Sequence, residues 1–507
     1  MSLSTPSFEA RSWFVPGAWA ACSGGLYFLG WPGFDLLPLA FVAFVPLLWV
    51  LEQAPSARRA AWLGLVAGVV KSVGGFTWLL ATLESYSRMP ALVCALFVSL
   101  VWLYQGLQLA LFAWLYVQAR AARVGVLVSA VCALCLAEWS FPEVFPHYFG
   151  LSLHRLPHAL QIADLGGPLS LSALLISASV ALFALLSRFR WARRAELLAA
   201  LGLWMATLGY GVYRVREVDA RAEHALKLEL AIIQSNLSAP DKRRRGGENV
   251  RSHLAQSVLA MPGPQLFIWP ETVVDYDEVD GVPWEMLAHH VDVPVLFGAR
   301  LIADFENDKP RYLNAARLVN GQGSLQSEYH KQKLLPFGEH MPFADRFPAL
   351  RELSPRQRRF LQGTRPPLLQ LGPIRIGVSI CYEDIFAGFI ADGVMQTNPQ
   401  LLVNLTNDAW FGDTREPHQH QALAMLRAVE HHRTLVRATN SGVSAIVDPV
   451  GRDTRTSAVF TKDTLRAAVP LLEGQTVYAR LGDALGPLSA LTLLLAWLRK
   501  RVRVGRA

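Results

Sequence analysis

Pro373-Ile-Arg-Ile-Gly-Val-Ser-Ile-Cys381-Tyr-Glu-Asp384 is a short apolar run that ends in a cysteine and two acidic residues. The run predicts a buried strand, and the polar residues after it predict a turn that would expose the Cys381 thiol. Of the five cysteines in the chain, only Cys381 lies outside the strongly hydrophobic segments. It is a candidate nucleophile, because the thiolate is highly nucleophilic, although a lone buried cysteine more often serves packing.

Two charged residues occupy similar positions earlier in the chain. Glu271 ends the run Phe267-Ile-Trp-Pro-Glu271, where partial burial would suit a carboxylate to act as a general base. Lys331 follows Tyr329-His330, and its ammonium could stabilise an oxyanion and favour a thiolate. Taken singly, Glu271 could be a turn residue and Lys331 a surface residue. Their occurrence with Cys381, each at or near a strand end, predicts acyl transfer through a thioester.

Length and composition indicate a membrane protein with more than one domain. The chain has 507 residues, of which 52% are hydrophobic and 17% charged, and this length favours two domains. The net charge of +8 comes from separate local clusters. Nucleic-acid binding is therefore not expected, because it requires a continuous basic surface.

Apolar runs long enough to cross a bilayer, which takes about 20 residues, recur along the chain. They predict a seven-span transmembrane domain over residues 1–213, a polar domain over 214–479, and an eighth span with a basic tail over 480–507. The predicted spans are 13–31, 34–51, 61–80, 91–117, 124–141, 168–186, 195–213 and 481–498.

The connecting loops predict the orientation. Arginine clusters at Arg58-Arg59, Arg120 and Arg123, and 188–194 fall in every second loop, and another follows the last span. The positive-inside bias then places both termini in the cytoplasm. The polar domain would lie on the opposite side, which in a bacterium is the periplasm.

Some polar residues in the apolar part have two interpretations. Lys71 in the third predicted span could be functional, as intramembrane charges often are, but packing against Gln105 or Gln108 is favoured. Cys132 and Cys135 have no further ligands at metal-binding spacing, so packing is favoured for them too.

In the polar domain, short strand-like runs alternate with helical ones, which predicts an α/β layered fold. The segment 336–363 has weak hydrophobic periodicity and many prolines, which predicts a long functional loop. The predicted strands are 226–234, 266–269, 293–298, 374–380, 401–405 and 444–447, and the predicted helices are 249–260, 282–290 and 418–434.

Further motifs surround the three candidate residues. They are Trp269-Pro-Glu271, Tyr329-His-Lys331, Pro336-Phe-Gly-Glu339 with Pro342, Cys381-Tyr-Glu383, Asn404-Leu-Thr-Asn-Asp-Ala-Trp-Phe-Gly412, Gln419-His420, Arg427-Ala-Val-Glu430 and Arg437-Ala-Thr-Asn-Ser-Gly442. In these motifs, and in the order Glu, Lys, Cys, the polar domain resembles the nitrilase superfamily. Nearly the whole chain resembles the apolipoprotein N-acyltransferase family, bacterial inner-membrane enzymes that add the third acyl chain to lipoproteins.

This resemblance implies an αββα sandwich and assigns roles to residues. Glu271 would be the general base, Lys331 the oxyanion stabiliser and Cys381 the nucleophile. Around them, Glu339 would support Lys331, Glu383 would lie near the triad, and Tyr382 would donate its backbone N–H to the oxyanion. The implied substrate-binding residues are Asn407, Trp410, Phe411 and Gly412 in one loop. The apolar Phe343 and Phe347 of the 336–363 loop are predicted to bind lipid and control its access, because exposed apolar groups of this size usually mark an interaction surface.

The same resemblance implies the substrates and no metal or other cofactor. The acyl donor would be a membrane phospholipid, typically phosphatidylethanolamine, and the acceptor a diacylated apolipoprotein. One departure is the stretch Asp241-Lys-Arg-Arg-Arg245, where the family often has a tryptophan. It could hold phosphate head groups or be a solvated surface. Two alternatives remain open: a membrane-tethered amidase that hydrolyses small amides, and a scaffold without activity.

Overall fold

The computed structural model describes residues 8–86, 89–186, 191–237, 248–275, 291–306, 309–336, 338–340, 346–347 and 359–504. The chain forms two compact units, Met1–Arg214 together with Leu481–Ala507, and Val215–Arg480. The first unit is helical and the second is built from two sheets and flanking helices. The predicted fold class, an apolar helical domain joined to an α/β domain, is confirmed.

The helices of the first unit follow the apolar runs of the sequence. A proline begins or precedes several of them, because its fixed φ suits the first helical turn. They are α1 (Phe8–Leu29), α2 (Leu37–Val42), α3 (Val45–Leu51), α4 (Ala57–Gly75), α5 (Trp78–Tyr86), α6 (Ala91–Ala121), α7 (Val126–Ser140), α8 (Pro157–Leu160), α9 (Ala163–Leu186), α10 (Trp191–His224, which continues into the second unit) and a C-terminal helix, Leu485–Val504.

Length and apolar character mark three of the described helices as able to cross a membrane. These are α6, α9 and the part of α10 from Arg194 to His224, and α4 with α5 would make a fourth if that bent pair is one span. The pair bends by 55° after Gly75. The second predicted span is divided into α2 and α3, with Pro46 in the first turn of α3. The count of eight spans stays a prediction.

One buried charge in this unit has internal partners. Lys71 on α4 is fully buried, and its Nζ donates to Gln108 Oε1 on α6 at 3.2 Å. The same Nζ lies 3.9 Å from the carboxylate of Glu143. The interpretation of Lys71 as an interior-facing, packed residue is confirmed. Cys132 and Cys135 are buried free thiols on α7, as the packing interpretation expected.

The second unit contains two sheets. The first has the order β13-β1-β2-β3-β4-β5, with β6 beside β4, and the second has the order β12-β11-β10-β9-β8-β7. The strands are β1 (Lys227–Gln234), β2 (Leu266–Ile268), β3 (Val295–Glu306), β4 (Lys309–Val319), β5 (Leu325–His330), β6 (Arg359–Phe360), β7 (Leu368–Leu371), β8 (Ile374–Ile380), β9 (Leu401–Thr406), β10 (Leu435–Thr439), β11 (Ala445–Val447), β12 (Asp453–Thr456) and β13 (Asp463–Pro470). The helices are α11 (Glu248–Leu259), α12 (Ala387–Thr397), α13 (Glu416–His431) and α14 (Val477–Leu481), so the C-terminal helix is α15.

One apolar core joins the two sheets face to face. Ile232 and Leu266 of the first sheet pack in the same cluster as Ile380 and Val403 of the second. The outer face of the first sheet packs against α11 through residues such as Leu254. Strands β1, β2 and β3 run parallel, as do β8, β9 and β10. The candidate residues therefore follow the carboxyl ends of strands, where ligand sites of parallel sheets form.

The structure corrects several sequence-based element limits. Strand β3 was predicted to end at 298 but continues to Glu306, because it forms an antiparallel hairpin with β4 whose outer half is exposed. The predicted structureless loop 336–363 contains β6 near its end, paired with β4. The predicted helix at 282–290 lies outside the described residues.

Candidate active site

The backbone at Cys381 makes a sharp corner. Cys381 follows β8 directly and begins a short 3-10 helix, Cys381–Ile385, with a φ of 50°. A left-handed conformation is costly for a residue with a Cβ and persists only where the surroundings hold it. Here Asn404 Nδ2 donates to the Cys381 carbonyl oxygen at 3.2 Å. The corner leaves Cys381 partly exposed while Ile380 and Tyr382 on either side are buried, as the predicted strand-to-turn geometry requires.

Glu271 is positioned by a close approach between two backbone segments. The amide of Gly298 on β3 donates to the Pro270 carbonyl at 3.0 Å, and Val273 N–H donates to the Gly298 carbonyl at 2.9 Å. A Cβ at position 298 would lie 2.5 Å from the Glu271 Cα, so only glycine fits there. Glu271 is consequently held as a buried carboxylate at the sheet edge.

Lys331 lies between two carboxylates. Its backbone N–H donates to the Asn314 carbonyl at 2.8 Å, which fixes the residue directly after β5. The Nζ is 2.9 Å from Glu339 and 3.7 Å from Glu271. The side-chain amide of Asn314 donates to Glu271 at 2.7 Å and to Glu339 at 3.1 Å. The structure thus brings Glu271, Lys331 and Glu339 together, and adds Asn314, which the sequence analysis did not identify.

The charges of these groups act on the thiol. Burial opposes the Lys331 ammonium, but the carboxylates of Glu339 and Glu271 outweigh this effect and raise the lysine pKa. Burial, and then the charge of Glu271, raises the pKa of Cys381 well above its usual value, while Lys331 and a hydrogen bond from Thr406 lower it. One ammonium beside two carboxylates leaves a net negative charge. Together with burial, this charge keeps the resting cysteine a neutral thiol.

Glu383 ties the two sheets together at the site. Its Oε1 accepts hydrogen bonds from the Tyr329 hydroxyl at 2.8 Å and from the backbone N–H groups of Gln332 at 2.6 Å and Lys333 at 3.0 Å. Its Oε2 accepts from the Ile380 N–H at 2.8 Å. Glu383 is fully buried, and burial raises its pKa to about 7. This carboxylate therefore sets the distance between the end of β5 and the end of β8.

A second group of charged residues is buried around Asp408, just after the end of β9. His420 Nε2 lies 2.7 Å from Asp384, and its Nδ1 lies 3.3 Å from Asp408 and 3.6 Å from Glu416. Arg437 donates to the two carboxylate oxygens of Asp408 at 3.0 and 3.2 Å. Although burial opposes its charge, His420 has its pKa raised to about 10, chiefly by Asp384. This buried ion cluster was not predicted as a unit, because its five members come from four separate segments, with only Glu416 and His420 on the same helix.

The same cluster has the donor types of a metal site. One ligand atom each from Asp408, Glu416 and His420 lie within 4.8 Å of one another. However, Arg437 already bonds both oxygens of Asp408, and Asp384 pairs with His420. A bound cation would have to displace a guanidinium and a protonated imidazole, so these residues fit internal ion pairing better than a metal.

The predicted substrate-binding residues lie on a short loop after β9. Asn407 Oδ1 accepts from the Ala409 N–H and so begins a 3-10 turn that ends at Gly412, whose φ is 66°. The Trp410 side chain is 41% exposed, whereas Phe411 is buried. Phe347 is 59% exposed, and Phe343 lies outside the described residues. Substrate binding by these residues stays a prediction.

Comparison with known proteins identifies the family. Residues 23–181 match the family described as apolipoprotein N-acyltransferase N-terminal domain, and residues 261–478 match the carbon-nitrogen hydrolase family. The chain is 33% identical to the apolipoprotein N-acyltransferase of Gloeobacter violaceus, over 97% of this chain and 95% of that protein. The chain belongs to the apolipoprotein N-acyltransferase family.

Two further relatives of that family match over similar lengths. The protein of Azotobacter vinelandii is 32% identical over 98% of both chains, and that of Geobacter metallireducens is 29% identical over 95% of this chain and 94% of its own. Among solved structures, an amidase of the nitrilase superfamily from Nesterenkonia covers 52% of this chain and 96% of its own, at 18% identity and a TM-score of 0.37.

The ion cluster predicts how stability depends on pH. Because the pKa of folded His420 is about 10 and that of an unfolded histidine is about 6.5, its charge stabilises the fold fully below the lower value. That contribution is lost as the pH rises through the upper value. We expect the unfolding temperature of the wild type to fall more steeply between pH 7 and pH 10 than that of His420→Gln. Thermal unfolding in detergent measures this, with the exposed His224 changed to Gln as the control. Equal slopes for wild type and His420→Gln would contradict the assignment.

Proposed function

We propose that this protein transfers an acyl chain from a membrane phospholipid to the N-terminal α-amine of the diacylglyceryl-cysteine of apolipoproteins. The observation that carries the proposal is the joint placement of Glu271, Lys331 and Cys381 at the edge of a nitrilase-like sandwich in a chain of this family. The apolar helices of the first unit support a membrane substrate. A water-soluble amide would have no need of them.

The first half of the reaction forms a thioester. Glu271 takes the thiol proton of Cys381 as the sulfur attacks the ester carbonyl of the phospholipid, taken to be its sn-1 chain. The oxyanion that develops is stabilised by the Lys331 ammonium, with the Tyr382 N–H as a further donor. The ester C–O bond then breaks, Glu271 returns its proton to the leaving alkoxide, and a lysophospholipid departs. The acyl group remains on sulfur.

The second half transfers the acyl group to nitrogen. The neutral α-amine of the lipoprotein attacks the thioester carbonyl, and Glu271 accepts a proton from that amine. The C–S bond breaks, Glu271 returns that proton to the thiolate, and an amide is the product. This ping-pong sequence needs no metal, because the charge that develops in both steps falls beside Lys331, whose positive state Glu339 maintains.

Exposed aromatic residues support lipid access to the site. Trp410 lies on the loop that follows β9, only a few residues after the strand end beside Cys381, and its side chain remains 41% exposed. Phe347 is more exposed still, at 59%. Large apolar side chains that stay in contact with water are typical of interaction surfaces. We assign these side chains to contact with acyl chains, together with Phe343.

The proposal is tested by incubating the purified protein with a phospholipid labelled in its sn-1 chain and a synthetic diacylated lipopeptide. Mass spectrometry should show the labelled acyl chain on the lipopeptide amine and a lysophospholipid in equal amount. Cys381→Ala should abolish transfer, whereas Cys94→Ala, which removes a buried thiol of the helical unit, should not. Release of labelled fatty acid without acylated lipopeptide would overturn the transferase and favour a hydrolase.

The proposed location is the bacterial inner membrane, with the catalytic unit in the periplasm. The alternating arginine clusters and the positive-inside bias support this orientation. Alkaline phosphatase, which is active only after export, should be active when fused after Arg214 and inactive when fused after Arg503. The reverse pattern would contradict the orientation and remove access to lipoproteins.

A further inference from the structure

Thr406 connects the reactive cysteine to the buried ion cluster. Strands β8 and β9 are parallel with Ile380 opposite Leu405, so Cys381 and Thr406 are the next pair along. Thr406 is fully buried at the end of β9, next to Cys381 in the strand register, and a hydrogen bond from its hydroxyl lowers the pKa of the Cys381 thiol. On its other side the same hydroxyl donates to Asp408 Oδ1 at 3.3 Å.

A hydroxyl has one proton to donate, so Cys381 and Asp408 compete for it. While the cysteine is a neutral thiol, the hydroxyl donates to the Asp408 carboxylate and can accept the S–H hydrogen bond. When Glu271 removes the thiol proton, the sulfur becomes the stronger acceptor only if Asp408 is already satisfied. Arg437 supplies two hydrogen bonds to Asp408, and His420 lies 3.3 Å away. These two cations therefore weaken the hydrogen bond that the Thr406 hydroxyl donates to Asp408.

We propose that Thr406 is a further catalytic residue, whose hydroxyl turns from Asp408 to the Cys381 sulfur as the thiolate forms. Asp408, Arg437 and His420 are positioning residues that allow the Thr406 hydroxyl to change its hydrogen-bond acceptor. The thiol proton is transferred to Glu271, and no other covalent bond forms or breaks. The proposal rests on the proposed role of Cys381 as nucleophile, but the thiolate it describes can be measured without any lipid.

Other groups also face the thiol and must be held constant. Glu271 and Asp408 disfavour a thiolate by their negative charge, while Lys331 favours it by its positive charge. The Tyr382 side chain adjoins Cys381 from the 3-10 helix. Substitution of Thr406 leaves these charges in place, and Asp408, which loses the hydrogen bond from the hydroxyl, keeps its two bonds from Arg437. A shift in thiol titration between Thr406 variants therefore reports on the loss of the hydroxyl and not on the loss of a charge.

The test is the pH dependence of Cys381 alkylation by iodoacetamide in detergent without phospholipid, followed by mass spectrometry of the proteolytic peptide that contains Cys381, because Cys22 is also an exposed thiol. Thr406→Val keeps the shape and removes the hydroxyl. We expect its alkylation midpoint to move up by about one pH unit, which is a tenfold slower reaction at a fixed pH below the midpoint. Thr406→Ser keeps a hydroxyl and should restore the wild-type midpoint. If Thr406→Val does not fold, Thr406→Ala makes the same comparison with Thr406→Ser.

Thr439 offers a matched control. It is the neighbour of Thr406 on β10, equally buried, and its hydroxyl bonds to Gln234 rather than to the cysteine. Thr439→Val should lower thermal stability without moving the alkylation midpoint. The proposal is overturned if Thr406→Val titrates like the wild type, or if Thr439→Val shifts the midpoint as far. A wild-type protein that transfers no acyl chain to lipopeptide, while Thr406→Val still shifts the midpoint, would count against the acyltransferase role and leave the role of Thr406 in place.

Discussion

The site depends on one buried carboxylate that holds two sheets at a fixed distance. Glu383 accepts hydrogen bonds from Gln332 and Lys333, just after β5 of the first sheet, and from Ile380 at the end of β8 of the second. Lys331 and Cys381 are the immediate neighbours of these donors. A buried carboxylate is costly unless its oxygens are satisfied, and four donors compensate for the lost hydration here. The backbone at Lys331 and at Cys381 is consequently held at a fixed separation, and the Lys331 ammonium is placed by its contacts with Glu339 and Glu271.

The charged residues around Cys381 form two groups with different effects. In the first group, burial of the cysteine and the negative charge of Glu271 raise the pKa of the Cys381 thiol, and Lys331 opposes them. In the second group, the positive charges of His420 and Arg437 offset the negative charges of Asp384 and Asp408. Because these charges are paired with one another, the second group acts on the thiol pKa less than burial and Glu271 do, and its effect comes through Asp408. It can instead hold the end of β9, and with it Thr406, in a defined position.

Local sequence signals predicted the fold class and the separate candidate residues, but not the contacts between them. Cys381 and Glu271 each follow a short apolar strand with a turn, a pattern that is visible in one segment. Strands β4 and β13 were missed because the polar residues and prolines they carry hide their alternation. Glu383 joins the ends of β5 and β8, and Asn314 joins the carboxylates of Glu271 and Glu339, only because the fold brings distant segments together. Such contacts have no signature at fixed spacing.

The most direct test of the account is whether phospholipid alone acylates Cys381. A thioester shielded from water should persist until an amine arrives, so intact mass should show one added acyl chain that neutral hydroxylamine removes. Glu271→Gln should acquire this chain on the order of a hundredfold more slowly, because the base is lost, and Cys381→Ala should not acquire it at all. A wild-type protein that acylates lipopeptide while Cys381 never carries an acyl chain would contradict the account and point to direct transfer.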